Sequence, residues 1–255
     1  MTKVVLVTGA SSGIGEATAR RFAESGNALI IAARSKEKLL ALQDELKVVC
    51  PVYAATLDVA SPESIDDLFA QLPKDFQNID VLVNNAGLAL GLSPAQEADF
   101  TDWETMVNTN ISGLMRVTRK VLPSMVARDT GHIINIGSTA GNWPYPGGNA
   151  YGASKAFVQS FSRGLRADLL GKHIRVTNIE PGMCETNFSR VRFKGNDAKA
   201  DAVYSGTKPL SPDDVADIIF WVNATPSHVN INTLEVMPVC QAWGPLAVSR
   251  DMEQD

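Results

Sequence analysis

The chain has 255 residues, of which 45% are hydrophobic and 20% charged, with a formal net charge of -5 and a pI near 5.3. Mild acidity without any basic run excludes a partner held by its phosphate backbone, so no nucleic acid is expected. No stretch approaches the roughly 20 apolar residues that cross a bilayer, so no membrane is expected either. The three cysteines, Cys50, Cys184 and Cys240, lie outside any CxxC pattern, which fits reduced thiols and a cytoplasmic protein. No metal site is expected.

The first apolar run, Val4 to Val7, stops at Thr8-Gly9 with no cleavage site after it, so it reads as a buried strand and not a leader. Six more short runs follow: Leu29 to Ala32, Val52 to Leu57, Val81 to Val83, His132 to Ile136, Ile174 to Ile179 and Thr233 to Val236. Helical patterns begin between them near Gly13, Lys36, Pro62, Phe100, Asn149 and Pro212, some with start signals such as Ser61-Pro62 and Ser211-Pro212. Seven strands alternating with helices predict an α/β chain: one doubly wound Rossmann domain over residues 1–255, with a parallel seven-stranded sheet covered on both faces. Ligands of such sheets bind at the carboxyl ends of the strands. Two segments break the rhythm. Residues 187–209 form a polar insertion expected to act as a lid, and the tail at 238–255 keeps only scattered apolar anchors such as Trp243.

After the first strand comes Thr8-Gly9-Ala10-Ser11-Ser12-Gly13-Ile14-Gly15, opening a helix. Backbone N–H groups and the helix dipole at such a turn cradle a pyrophosphate. Gly9 permits the turn, Gly13 admits the phosphate, and Gly15 lets helix pack on strand. The second strand ends in Ala32-Ala33-Arg34-Ser35, where an NAD enzyme offers a carboxylate to the ribose. A guanidinium there favours the 2′-phosphate of NADP.

Tyr151 and Lys155 lie four residues apart on one face of the helix from Asn149, so the ammonium is expected near the phenol, favouring its deprotonated form. Lowering a phenol by about three pKa units takes roughly 4 kcal/mol. Ser138, after the fifth strand, is positioned to hold a substrate oxygen.

These motifs together resemble the classical short-chain dehydrogenase/reductase family. The resemblance implies an adenine contact at Asp58-Val59, a cofactor wall at Asn85, Ala86 and Gly87 within Asn84-Asn85-Ala86-Gly87, and a fourth catalytic residue, Asn110, whose amide would hold a relay water. It also assigns the nicotinamide carboxamide to Pro181, Gly182, Met183, Cys184 and Thr186, with pro-S transfer.

Further segments, including Ile136-Gly137-Ser138-Thr139-Ala140-Gly141-Asn142-Trp143-Pro144-Tyr145 and Val191-Arg192-Phe193-Lys194-Gly195, resemble the NADP-dependent 3-hydroxy acid dehydrogenases. That likeness implies a homotetramer acting on L-allo-threonine, L-serine, 3-hydroxyisobutyrate and 3-hydroxypropionate or malonic semialdehyde. Trp143 is then expected in the substrate wall, and Arg192 as the partner of the substrate carboxylate. Two other readings remain open from the residues: a reductase of 3-oxoacyl thioesters or neutral carbonyls, and a non-catalytic NADP sensor or scaffold.

Overall fold

In a computed structural model of the chain, residues 2–243 are described; the part of the expected tail from residue 244 onward lies outside them. Seven strands form one sheet: β1 (Val4–Thr8), β2 (Ala28–Ala33), β3 (Val52–Thr56), β4 (Val81–Asn84), β5 (Gly131–Ile136), β6 (Ile174–Pro181) and β7 (Thr233–Val236). Their order is β3-β2-β1-β4-β5-β6-β7, and every pairing is parallel. The order reverses between β1 and β4, which opens a crevice at their carboxyl ends.

The strands read as unbroken apolar runs because both faces are covered. Alternate residues serve opposite sides: Leu6, Ile30, Leu82 and Ile133 pack into one core, and Val5, Val7, Leu29, Ile31, Val83 and Ile134 into the other. Such period-two division fixes strand register, since a slip by one residue would exchange the faces. A buried polar ladder crosses the sheet near the crevice. The Asn84 amide donates to Asn135 Oδ1 at 2.8 Å and Thr118 Oγ1 at 2.9 Å, and the Asn135 amide donates to Ser162 Oγ at 2.8 Å.

Flanking helices are α1 (Gly13–Ala23), α2 (Lys36–Leu46), α3 (Pro62–Gln71), α4 (Phe100–Val107), α5 (Leu114–Arg128), α6 (Asn149–Asp168), α7 (Phe188–Arg192), α8 (Asp197–Tyr204) and α9 (Pro212–Ala224). Ser61 caps α3 by accepting from the Ser64 N–H, and Ser211 with Asp214 closes a capping box on α9. The polar insertion is not featureless: it folds into α7 and α8, short helices whose weak amphipathic patterns left no clear periodicity in the sequence. Between α4 and α5 the chain adds a π-turn at Asn108–Gly113. Among the described residues no helix is long and apolar enough to cross a membrane, and no group of three or more His, Cys, Asp or Glu is arranged to hold a metal.

Candidate active site

A cavity of about 650 Å³ occupies the crevice, running from Arg34 and Asp58 at one end to Tyr151, Phe188 and Arg192 at the other. Ser11, Ser12, Gly13 and Ile14 line it at the amino end of α1. Ser12 takes the N-cap place with extended backbone yet makes no side-chain cap bond, so its hydroxyl and the first N–H groups of the helix are available to an anion. Gly9, at φ +68°, turns the chain beneath them. Gly15 does not face the cavity: a Cβ there would fall 2.4 Å from Gly9 O and from the Asn85 amide nitrogen. Its function is close packing, because that amide donates to Thr8 O at 2.9 Å.

Arg34 is exposed at the end of β2, beside half-buried Ser35. Asp58 Oδ1 accepts from the Ala60 N–H at 2.9 Å, so the residue both shapes its turn and lines the cavity with Val59. Asn85, Ala86 and Gly87 form the opposite wall, and Pro181, Gly182, Met183, Cys184 and Thr186 the floor near Tyr151. The bipartite cradle, with a free helix terminus at the centre and an arginine at one end, fits a phosphorylated dinucleotide.

Ser138, Tyr151 and Lys155 converge because two glycines let backbones meet. A Cβ on Gly141 would lie 2.9 Å from the Lys155 carbonyl carbon, and one on Gly152 would lie 2.8 Å from Ala140 O. The loop after β5 therefore sits directly on α6, with Ser138 beside the Tyr151 phenol, where its hydroxyl works against the upward push of burial. Ser154, which the sequence reading did not single out, supports the helix: its hydroxyl donates to Tyr151 O at 2.7 Å and accepts from the Asn110 amide at 3.0 Å.

Two expectations about this cluster change. Burial dominates the Tyr151 phenol and pushes it up to about 12, and the cation that opposes this is Arg192. The Lys155 ammonium lies 5.8 Å from the Tyr151 ring centre, donates to Ile136 O at 2.8 Å, and is itself lowered to about 8 by burial. The Asn110 amide is also committed. Its oxygen accepts from the Leu88 N–H at 2.9 Å, and its hydrogens go to Leu88 O and Ser154 Oγ, leaving no donor for a relay water.

Arg192 reaches the cavity from α7. Its guanidinium carbon stands 4.9 Å from the Phe188 ring centre and 5.3 Å from that of Tyr151, and Nη2 donates to Tyr145 Oη at 3.0 Å. Its Nε is buried with no partner among the described residues. Trp143 is not in the wall: its indole N–H donates to Glu235 Oε2 at 3.3 Å, and Tyr145 lines the cavity in its place. Glu235, which accepts from both the Trp143 indole and the Asn142 amide, gave no sequence signal of that pairing. Gln241 was also missed. It lines the cavity and accepts from the Met183 N–H at 2.7 Å.

Residues 3–197 match the short chain dehydrogenase family. The chain belongs to that family. An NADP-dependent 3-hydroxy acid dehydrogenase of Escherichia coli is 55% identical over 248 residues, 97% of this chain and 99% of the relative. Sulfoacetaldehyde reductase 2 of Chromohalobacter salexigens is 50% identical, covering 98% of this chain and all of the relative. A solved serine dehydrogenase, in its closed form complexed with NADP+, superposes with a TM-score of 0.93 at 55% identity, over 97% of this chain and 99% of that one. The likeness thus extends over nearly the whole chain.

Proposed function

We propose that the chain is an NADP-dependent dehydrogenase of small 3-hydroxy acids, interconverting them with their 3-oxo forms. The observation that carries this is Arg192: a guanidinium with a buried, unpartnered Nε beside Tyr151, in a cavity that also holds a dinucleotide cradle. A buried N–H without an acceptor costs about 1–3 kcal/mol, which an anionic ligand recovers. Identity of 55% to a 3-hydroxy acid dehydrogenase and to a serine dehydrogenase supports the same substrate class.

NADP, when bound, supplies the hydride acceptor. The protein handles the proton and the oxygen. Ser138 and Tyr151 hold the reacting hydroxyl, and Tyr151 as phenolate accepts its proton in oxidation or returns it in reduction. Arg192, with a contribution from Lys155, favours the phenolate; Lys155 is held by Ile136 O within reach of the same end of the cavity. Arg34 and Ser35 take the 2′-phosphate, and Ser11 and Ser12 with the start of α1 take the pyrophosphate. The 187–209 segment acts as a lid, since α7 delivers Arg192 and Tyr204 of α8 donates to Cys184 O at 3.0 Å. Exposed Phe100 and Val107 on α4 and Met115 on α5 are apolar surface that a homotetramer would cover.

L-serine, L-allo-threonine, 3-hydroxyisobutyrate and 3-hydroxybutyrate, each with NADP or NAD, test the reading by absorbance of the reduced nicotinamide. NADP-dependent turnover of a free acid establishes it. Silence on all four, with reduction of a neutral ketone or a thioester, refutes it. A second reading, reduction of a small sulfonated aldehyde, is favoured by the 50% identity to a sulfoacetaldehyde reductase; a guanidinium fork accommodates a sulfonate as well as a carboxylate.

A further inference from the structure

Arg192 does not make its own anion site. Tyr145 also lines the cavity, and its phenol oxygen accepts from Arg192 Nη2 at 3.0 Å, with the guanidinium carbon 5.7 Å from the Tyr145 ring centre. That bond uses a lone pair of the oxygen and leaves the phenolic hydrogen, which has no acceptor among the described residues. Burial keeps the phenol protonated, above its ordinary range. Two donors with nothing to donate to therefore stand side by side, the Tyr145 O–H and the buried Arg192 Nε–H.

The position of the ring is built into the loop. The Gly148 N–H closes a turn onto Tyr145 O at 3.0 Å, and a Cβ on Gly148 would lie 2.4–2.6 Å from the Tyr145 ring. Only glycine lets the ring lie back over its own turn towards Arg192. On the other side Phe188 packs 5.4 Å from Tyr151 and 4.9 Å from the guanidinium, so the cation is held between aromatic faces in an orientation that water would not keep.

We propose that Tyr145 is the second anion-binding residue of the site: it orients Arg192 through its oxygen and donates its hydroxyl hydrogen to the same carboxylate or sulfonate of the substrate. The inference rests on the 3-hydroxy acid reading and adds to it a specificity residue. A planar fork and a hydroxyl at an angle to it together favour an anion with two or more oxygens over a neutral carbonyl group.

The test compares wild type with Tyr145→Phe, which keeps the ring and removes both roles of the oxygen. KM for the best 3-hydroxy acid and Ki for propanesulfonate, a non-reacting anion, should each rise about fivefold to tenfold, the loss of one hydrogen bond to a charged group. The effect on kcat should be smaller, and NADPH affinity, read by fluorescence, should stay within about twofold. Should Tyr145→Phe fold poorly, Tyr145→His, which retains a ring N–H, should give a smaller rise in both constants. Unchanged KM and Ki in a protein that turns over 3-hydroxy acids would overturn the inference alone. So would a parallel loss of kcat, NADPH binding and thermal stability, which marks a structural role. Failure of wild type on every acid removes the underlying reading and the inference with it.

Discussion

The guanidinium carbon of Arg192 lies 5.3 Å from the centre of the Tyr151 ring. It is a cation that opposes the burial of that phenol, which burial nevertheless pushes up to about 12. On the proposed function one side chain joins substrate recognition to acid–base chemistry. Arg192→Gln should raise KM for a 3-hydroxy acid and move the acidic, rising limb of the pH–rate profile for oxidation to higher pH by about one unit, since removing a nearby positive charge disfavours the phenolate. A profile that keeps its midpoint would separate Arg192 from Tyr151.

Tyr151→Phe should lower kcat by about 10²–10⁴-fold, the span of general acid–base catalysis. The ring still packs against Phe188, so NADPH titration should give nearly the wild-type affinity. Substantial residual turnover would remove Tyr151 from the proton-transfer step.

Arg34 is exposed, with no side-chain partner among the described residues, at the end of the cavity. Arg34→Asp places a carboxylate against the 2′-phosphate. The ratio of kcat/KM with NADP to that with NAD should fall by at least about tenfold, as expected for losing a charge-assisted hydrogen bond. An unchanged ratio would show that other residues hold the phosphate.

Gly141→Ala should cost about 1–3 kcal/mol of stability, because the added methyl meets the Lys155 backbone at 2.9 Å and neither side can yield cheaply. Thermal melting measures the loss. Activity should fall beyond what the melting accounts for, since the same clash lifts Ser138 away from Tyr151.

His132, near the start of β5, is buried between Thr177 Oγ1 at 2.9 Å and Asn223 Oδ1 at 3.4 Å. Burial, then the positive charge of Arg175, depress it from 6.5 to about 3. The unfolded chain therefore takes up a proton as pH falls through 6.5 while the folded chain remains neutral until about 3, so acid favours unfolding across that window. His132→Gln removes the titration. Its stability should fall less steeply between pH 6.5 and 4 than that of wild type, measured by denaturant melts at each pH; equal slopes would assign the acid sensitivity to other groups.

Much of the molecule is readable from local chemistry. Val5, Leu29, Val81 and Ile134 belong to runs that can only be buried strands, and a strand followed by Gly9, Gly13 and Gly15 at a helix start needs no tertiary information to be read as an anion cradle. Tyr151 and Lys155 share a helix, so their common face follows from 3.6 residues per turn. Ser211 and Asp214 announce α9 by the same local logic.

Contacts between segments distant in the chain follow no such rule. Whether Trp143 or Tyr145 lines the cavity depends on Glu235, 92 residues from Trp143, being there to accept the indole N–H. That Arg192 opposes the burial of Tyr151 depends on where α7 docks, and Gln241 reaches Met183 only because the chain returns past β7. The sequence by itself determined the sheet, the glycine turn that opens α1 and the side chains that share one face of α6, all set by short-range periodicity and turn geometry. Tertiary structure alone decided which charges and hydroxyls meet across the cavity, because those distances are set by packing and not by spacing along the chain.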